Sequence, residues 1–298
     1  MKKLLFILFL FPLLSLGTDI TSLMFYTYKV KGANFNDVVE KLKQELNSKD
    51  LKVMRTLTIS EAIKARGIKD FPNYTVLLAC DKKEKESLLL KSPFMSNLIP
   101  CSVAIYENKD GSVSITIVNE KPYLKDLSKE DKEFISRTYS ELRGVISSIA
   151  KPERKKFSNG YLKKMTRELK NASFETSYNI KGMNFDDVKT LLKSSLDGVN
   201  MNILAVEDVR KESPKYSFML ACNLTYGEKI LREFPHFGTL APCRIYLYEK
   251  PDGSVGIGYI NIQTLIKLYG KHLHKDAVEV FEKADKDIKS AIKEVKGE

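Results

Sequence analysis

Four cysteines are the residues best placed to do chemistry in this 298-residue chain, and their spacing is regular. Cys80 and Cys101 stand 21 residues apart, and so do Cys222 and Cys243. In each pair the first cysteine closes an apolar, strand-like run and the second opens the next one. If those two strands run antiparallel, both cysteines lie at the same end of a sheet. Three chemistries fit such a pair. The first, and the expectation carried forward, is a structural disulfide in each half, natural for an exported chain with an even cysteine count. Closing a loop of about 22 residues stabilises a fold by roughly 3 kcal/mol in the chain-entropy model. The second is a reactive dithiol or a soft-metal site, for instance for Cu(I), which needs a lowered thiol pKa. No C-x-x-C motif supports it. The third is a set of buried thiols acting as small hydrophobes.

Other reactive groupings are weaker. His272 and His274 share a face only on a strand, and His236 stands apart from them. Asp186 and Asp187 open a helix, where negative charge suits the helix dipole better than acid–base work. There is no glycine-rich phosphate loop, no G-x-S-x-G and no H-E-x-x-H. No catalytic residue, metal or cofactor is therefore expected. Gly256 and Gly258, present in one half only, predict a bulge or a close backbone approach.

The elements that hold these cysteines occur twice. Tyr28–Val38 recurs as Tyr178–Val188, and from Pro72 onward the offset falls from 150 to 142. Between Tyr74 and Asn119, 18 of 46 positions are identical to their counterparts, the signature of a duplication with one eight-residue deletion in the second copy. The matched positions include Pro100 and Pro242, Gly111 and Gly253, and Asn119 and Asn261.

Each copy reads in the order β-α-β-β-(α)-β-β-α. A strand over Met24–Val30 leads to a helix from Asn36 to Leu46 with Asn34 as its N-cap. Strands follow at Lys52–Leu57 and Tyr74–Cys80, with a helical Ser60–Arg66 between them and a short helix over Lys83–Lys91. Asp110-Gly111 joins the strands Ser102–Tyr106 and Ser112–Val118 as a hairpin. A long amphipathic helix over Lys129–Ile149 ends the copy. The fold class is α+β, a mostly antiparallel sheet with helices on one face. The two copies are expected to pair about a pseudo-twofold axis as a pseudo-dimer within one chain.

Leu98-Ile99-Pro100-Cys101 with Tyr106-Glu107 and Gly111, and Leu240-Ala241-Pro242-Cys243 with Tyr248-Glu249 and Gly253, resemble the bacterial and archaeal domain of unknown function 302 family. Ala79-Cys80-Asp81 and Ala221-Cys222-Asn223 are similar to its first cysteine motif. The resemblance implies a TATA-binding-protein-like arrangement in each copy and no reaction. Lys82 and Leu224 stand where that family commonly has proline.

Met1-Lys2-Lys3, an apolar run from Leu4 to Leu16 and small residues before Thr18 match a secretory signal. The organisation expected is a signal peptide over 1–17, a first repeat over 18–150, a basic linker over 151–172 and a second repeat over 173–298. Lys151–Lys170 holds eight basic residues against Glu153 and Glu168. It could meet an anionic membrane surface. Export argues against nucleic acid. The functional expectation is an exported, periplasmic or extracellular module that binds a small ligand or a periplasmic protein without catalysis; the alternative is thiol redox or copper handling.

Overall fold

The computed structural model describes residues 21–80, 85–153 and 159–298. The expected signal peptide lies outside the described residues. So do Lys82, the start of the helix expected from Lys83, Arg154, Lys155 and Lys156 of the basic segment, and the Cys80 side chain.

The first repeat runs α1 (Thr21–Met24), β1 (Phe25–Val30), α2 (Phe35–Asn47), β2 (Lys52–Leu57), α3 (Ile59–Lys64), β3 (Tyr74–Cys80), α4 (Lys85–Lys91), β4 (Cys101–Glu107), β5 (Val113–Val118) and α5 (Lys129–Ile149). The segment expected to be a bare linker is structured. Lys151–Pro152 forms β6, which pairs with β1, and Asn159–Asn171 forms α6. The second repeat runs β7 (Glu175–Ile180), α7 (Phe185–Gly198), β8 (Asn202–Arg210), β9 (Tyr216–Cys222), α8 (Leu224–Glu233), β10 (Cys243–Glu249), β11 (Val255–Ile260), α9 (Ile262–Tyr269) and α10 (Lys275–Lys296).

Local chemistry explains these boundaries. Asn34 caps α2 through the Asn36 amide at 2.8 Å, and Phe35, Val38, Val39, Leu42 and Leu46 form its buried stripe. Asn184 caps α7 in the same way through Asp187. Both hairpins turn on glycines with positive φ, Gly111 at 73° and Gly253 at 76°. There Asp110 and Asp252 accept from the Ser112 and Ser254 amides at 3.1 and 3.0 Å. Gly256 and Gly258 sit in an unbroken register with β10 rather than in a bulge. The Tyr248 and Tyr246 rings lie across them where a Cβ would collide.

Both sheets are antiparallel throughout. Their orders are β2-β3-β4-β5-β1-β6 and β7-β11-β10-β9-β8, so five strands correspond one to one. The deletion falls on α3, which has no counterpart, while β8 grows to nine residues against six in β2.

The repeats embrace each other. β4 and β5 are buried at every position except Glu107. Cys101, Val103 and Ile105 turn to their own helices, and Ser102, Ala104 and Tyr106 turn to the other repeat. The 3-10 turn Pro235–Leu240 packs on that second face, and Pro93–Asn97 packs reciprocally on β10 and β11. Tyr74 donates to the Pro235 carbonyl, and Tyr216 donates to the Pro93 carbonyl at 2.7 Å. Residues 74 and 216, and 93 and 235, are each 142 apart, so the two bonds are one contact repeated about a pseudo-twofold axis. On that axis the buried Arg244 donates to Ser102 Oγ at 2.7 Å, and Ser102 is its own counterpart in the other copy.

Candidate functional site

The four cysteines lie where the repeat places them, on neighbouring antiparallel strands at one end of each sheet. The expected disulfide of the second repeat is not formed: Cys222 and Cys243 are free thiols, and in the first repeat Cys101 is buried against Tyr139. The reason is register. Cys101 faces Ala79 across the ladder and Cys243 faces Ala221, each one residue short of the first cysteine of its pair. Successive side chains leave a strand on opposite faces, so that one-residue offset takes Cys222 and Cys243 out of direct cross-strand pairing, although they remain neighbours.

The thiols are also poor nucleophiles. Burial first and the neighbouring Cys243 second push Cys222 up to about 12, and burial pushes Cys243 up to about 11. Both stay protonated at neutral pH, which weighs against dithiol redox chemistry. Among the described residues, no group of three or more His, Cys, Asp or Glu is arranged to hold a metal ion.

The flanking residues serve the frame. Pro100 and Pro242 both follow cis peptide bonds at the mouths of β4 and β10. Asn119 donates to the Leu23 carbonyl at 2.7 Å, and Asn261 caps α9 through the Thr264 amide at 3.0 Å. His274 caps α10 at the Asp276 amide, and His236 packs against Phe25 and Tyr106. Asp186 stands in the first turn of α7 and pairs with Lys215 at 2.6 Å.

What the cysteine motif of the second repeat does border is a cavity of about 100 Å³ between β9, β10 and α10. Ala221, Ile230, Leu240, Ala241, Phe281 and Ala284 line it together with Cys243, and its wall is almost wholly apolar. The first repeat builds the same place differently. Ser128 and His274 cap α5 and α10, and from those caps the buried positions of the two helices correspond in order. Tyr139 stands where α10 has Asp285, and Ile99 where the second repeat has Ala241. Tyr139 lies against Cys101 and donates to the Leu98 carbonyl at 3.0 Å. The first copy thus carries larger side chains than the second at these two positions.

A second feature adjoins the cavity. A cleft of about 860 Å³ runs between the repeats, walled by Thr56, Ile59 and Arg66 on one side and Asn202, Thr225 and Lys283 on the other. Cavity and cleft share Cys222, Asn223 and Tyr226. Neither Ala241 nor Arg66 stood out in the sequence. The signal that would have found the cavity is the difference between the copies at 99/241 and 139/285, not their identities.

The model of the family described as domain of unknown function DUF302 matches residues 26–149 and 176–294, one match to each repeat. The chain belongs to this family. It is also 62% identical over 118 residues to an uncharacterized protein of Aquifex aeolicus (strain VF5), a match covering 40% of this chain and 81% of that one. The crystal structure of an uncharacterized conserved DUF302 protein from Bacillus stearothermophilus aligns over 42% of this chain and 97% of its own, at 17% identity and a TM-score of 0.38. The tandem DUF302 repeats therefore supply an α+β frame, and the site must be read from this chain's own residues.

Proposed function

We propose that this chain is an exported, non-catalytic binding module in which the second repeat holds a small apolar guest. The first repeat acts as its scaffolding partner. The observation that carries the reading is the unfilled apolar cavity behind Ala241 and Cys243. Ligand sites are concave, mostly apolar and few per protein, and a dry apolar void of this order accepts small hydrocarbons. Export rests on Lys2, Lys3 and the apolar run Leu4–Leu16. Among the described residues no helix is long and apolar enough to cross a membrane. The exposed Lys163, Lys164, Arg167 and Lys170 of α6, whose Met165 and Leu169 face inward, give the module a basic surface for an anionic membrane.

The test is Ala241→Ile, which installs the residue that the first repeat already uses. At about 24 cal/mol per Å³ of void, filling 100 Å³ recovers up to about 2.4 kcal/mol. The melting temperature should rise by roughly 5–10 °C at about 2–4 °C per kcal/mol. Titration of the unsubstituted chain with 1-pentanol, followed by calorimetry, should show saturable binding that Ala241→Ile abolishes. Binding that survives the substitution would place the guest elsewhere. Mass spectrometry of the exported chain should find Thr18 at its N-terminus.

A further inference from the structure

We propose that the ligand carries an anionic head, held by Arg66 and Lys283 in the cleft between the repeats, on the apolar tail that enters the cavity. This rests on the binding reading above and names the chemical class of its ligand: a short-chain amphipathic acid.

Three observations converge. The cleft wall contains two cations, Arg66 from the first repeat and Lys283 from α10, and no carboxylate. Arg66 has no carboxylate within 4 Å among the described residues; one guanidinium nitrogen donates to Thr225 Oγ1 at 2.9 Å, which aims the fork along the wall. Lys283 sits 5.8 Å from the Tyr226 ring centroid. The Tyr226 hydroxyl donates to Asp287 at 2.5 Å, and Asp287, which is not part of the cleft wall, also attracts the Lys283 ammonium. The first turn of α8, Leu224 to Tyr226, forms the same wall and adds the positive end of its dipole. Asn200, Asn202 and Asn223 complete the neutral polar wall, with Asn223 donating to the Asn200 carbonyl at 3.2 Å and Asn202 to the Cys222 carbonyl at 3.5 Å.

Cys222, Asn223 and Tyr226 border both spaces, so the polar cleft and the apolar cavity are adjacent. A molecule spanning both buries its tail beside Ala241 and leaves its charge at Arg66. Such a site also explains why two repeats are needed: Arg66 lies in the segment that follows α3, and α3 is absent from the second repeat. The cation therefore comes from one copy and the cavity from the other.

The experiment compares pentanoate, 1-pentanol and inorganic phosphate by titration calorimetry at pH 7 on the full exported chain and on Arg66→Ala, Lys283→Met and Ala241→Ile. Pentanoate should bind about tenfold more tightly than pentanol, the scale of one charge-assisted contact. Arg66→Ala should erase that preference while leaving pentanol affinity unchanged, Lys283→Met should reduce it, and Ala241→Ile should remove binding of both. Equal affinities in the unsubstituted chain, or a preference untouched by Arg66→Ala, would overturn the anionic head while leaving the cavity reading intact. Binding of neither molecule would overturn both. Phosphate that binds at Arg66 as tightly as pentanoate and is indifferent to Ala241→Ile would overturn a single ligand spanning cleft and cavity. Melting curves of each variant separate lost binding from lost fold.

Discussion

Arg244 is buried to 2% exposure on the pseudo-twofold axis, and its removal gives the sharpest test of how the repeats are joined. Its guanidinium donates to the Ser96 carbonyl and to Ser102 Oγ, both at 2.7 Å and both in the other repeat. Each bond involves a charged donor and contributes about 1.5–3 kcal/mol, and truncation strands the acceptors away from water. Arg244→Ser should therefore cost about 3–5 kcal/mol, the range for breaking one side of a buried charged contact. At about 2–4 °C per kcal/mol the melting temperature should fall by roughly 6–20 °C. The symmetry allows a stricter test. Residues 102 and 244 are exchanged by the duplication, and the counterpart of Ser96 is Gly238, whose backbone carbonyl is equally an acceptor. The double variant Ser102→Arg with Arg244→Ser should then rebuild the contact from the opposite side and recover at least half of the loss. Scanning calorimetry of the two single variants and the double completes the cycle. A double variant no more stable than Arg244→Ser alone would refute the pseudo-symmetric account of this contact, and a loss under 1 kcal/mol for Arg244→Ser would refute its energetics.

Two further outcomes follow from the thiols and from one inter-repeat ion pair. With thiols at about 12 and 11, less than about one part in a thousand of Cys222 and Cys243 is thiolate at pH 8. A disulfide reagent should label them slowly in the native chain and quickly in guanidinium, and reductant should leave the melting temperature unchanged; fast native labelling or a reductant-sensitive transition would contradict this. Asp70 is held below the usual carboxylate range chiefly by the hydrogen bond from Arg232 in the other repeat, at 2.8 Å. Its contribution to stability is present above the unfolded carboxylate value of about 3.9 and disappears as pH falls through the lower folded value. The pair is exposed, so the effect is small: Asp70→Asn should melt slightly below the parent chain at pH 6 and together with it at pH 2.

Much of the frame was legible because it depends on short-range signals. Asn34, the stripe Val38–Leu42–Leu46 and the Asp110-Gly111 turn each dictate their own segment, and each element formed within one or two residues of expectation. The connector carries α6 although Asn159-Gly160 resembles a turn, because Leu162, Met165 and Leu169 are spaced as a helical stripe of which Met165 and Leu169 are buried. The cysteine register was not legible at all. Ala221 and Cys222 are both small and apolar, so hydrophobic pattern cannot choose which of them faces Cys243. Only the ladder fixes it, opposite Ala221, and a one-residue choice turns an expected bond into two separate thiols.

Asp285 holds α10 of the second repeat to its neighbours by polar contacts. It stands where the first repeat has Tyr139, and it is 3% exposed. A carboxyl group buried that deeply is tolerated only when hydrogen-bond partners surround it. Tyr259 supplies one at 3.1 Å, Gln263 another at 2.7 Å and Lys289 a third at 2.7 Å. That network holds α10 on the sheet by polar contacts at a point where the first repeat uses the body of a tyrosine ring. The helix keeps its place and the space beside Ala241 stays empty. An unoccupied void of 100 Å³ costs the free protein about 2.4 kcal/mol, which a single Ala241→Ile would largely recover. The first repeat already carries isoleucine at the matching position, 99, and the second keeps the open site beside Ala241. The cost of the open one is offset when a guest enters, because a ligand that binds only the folded state stabilises it by mass action.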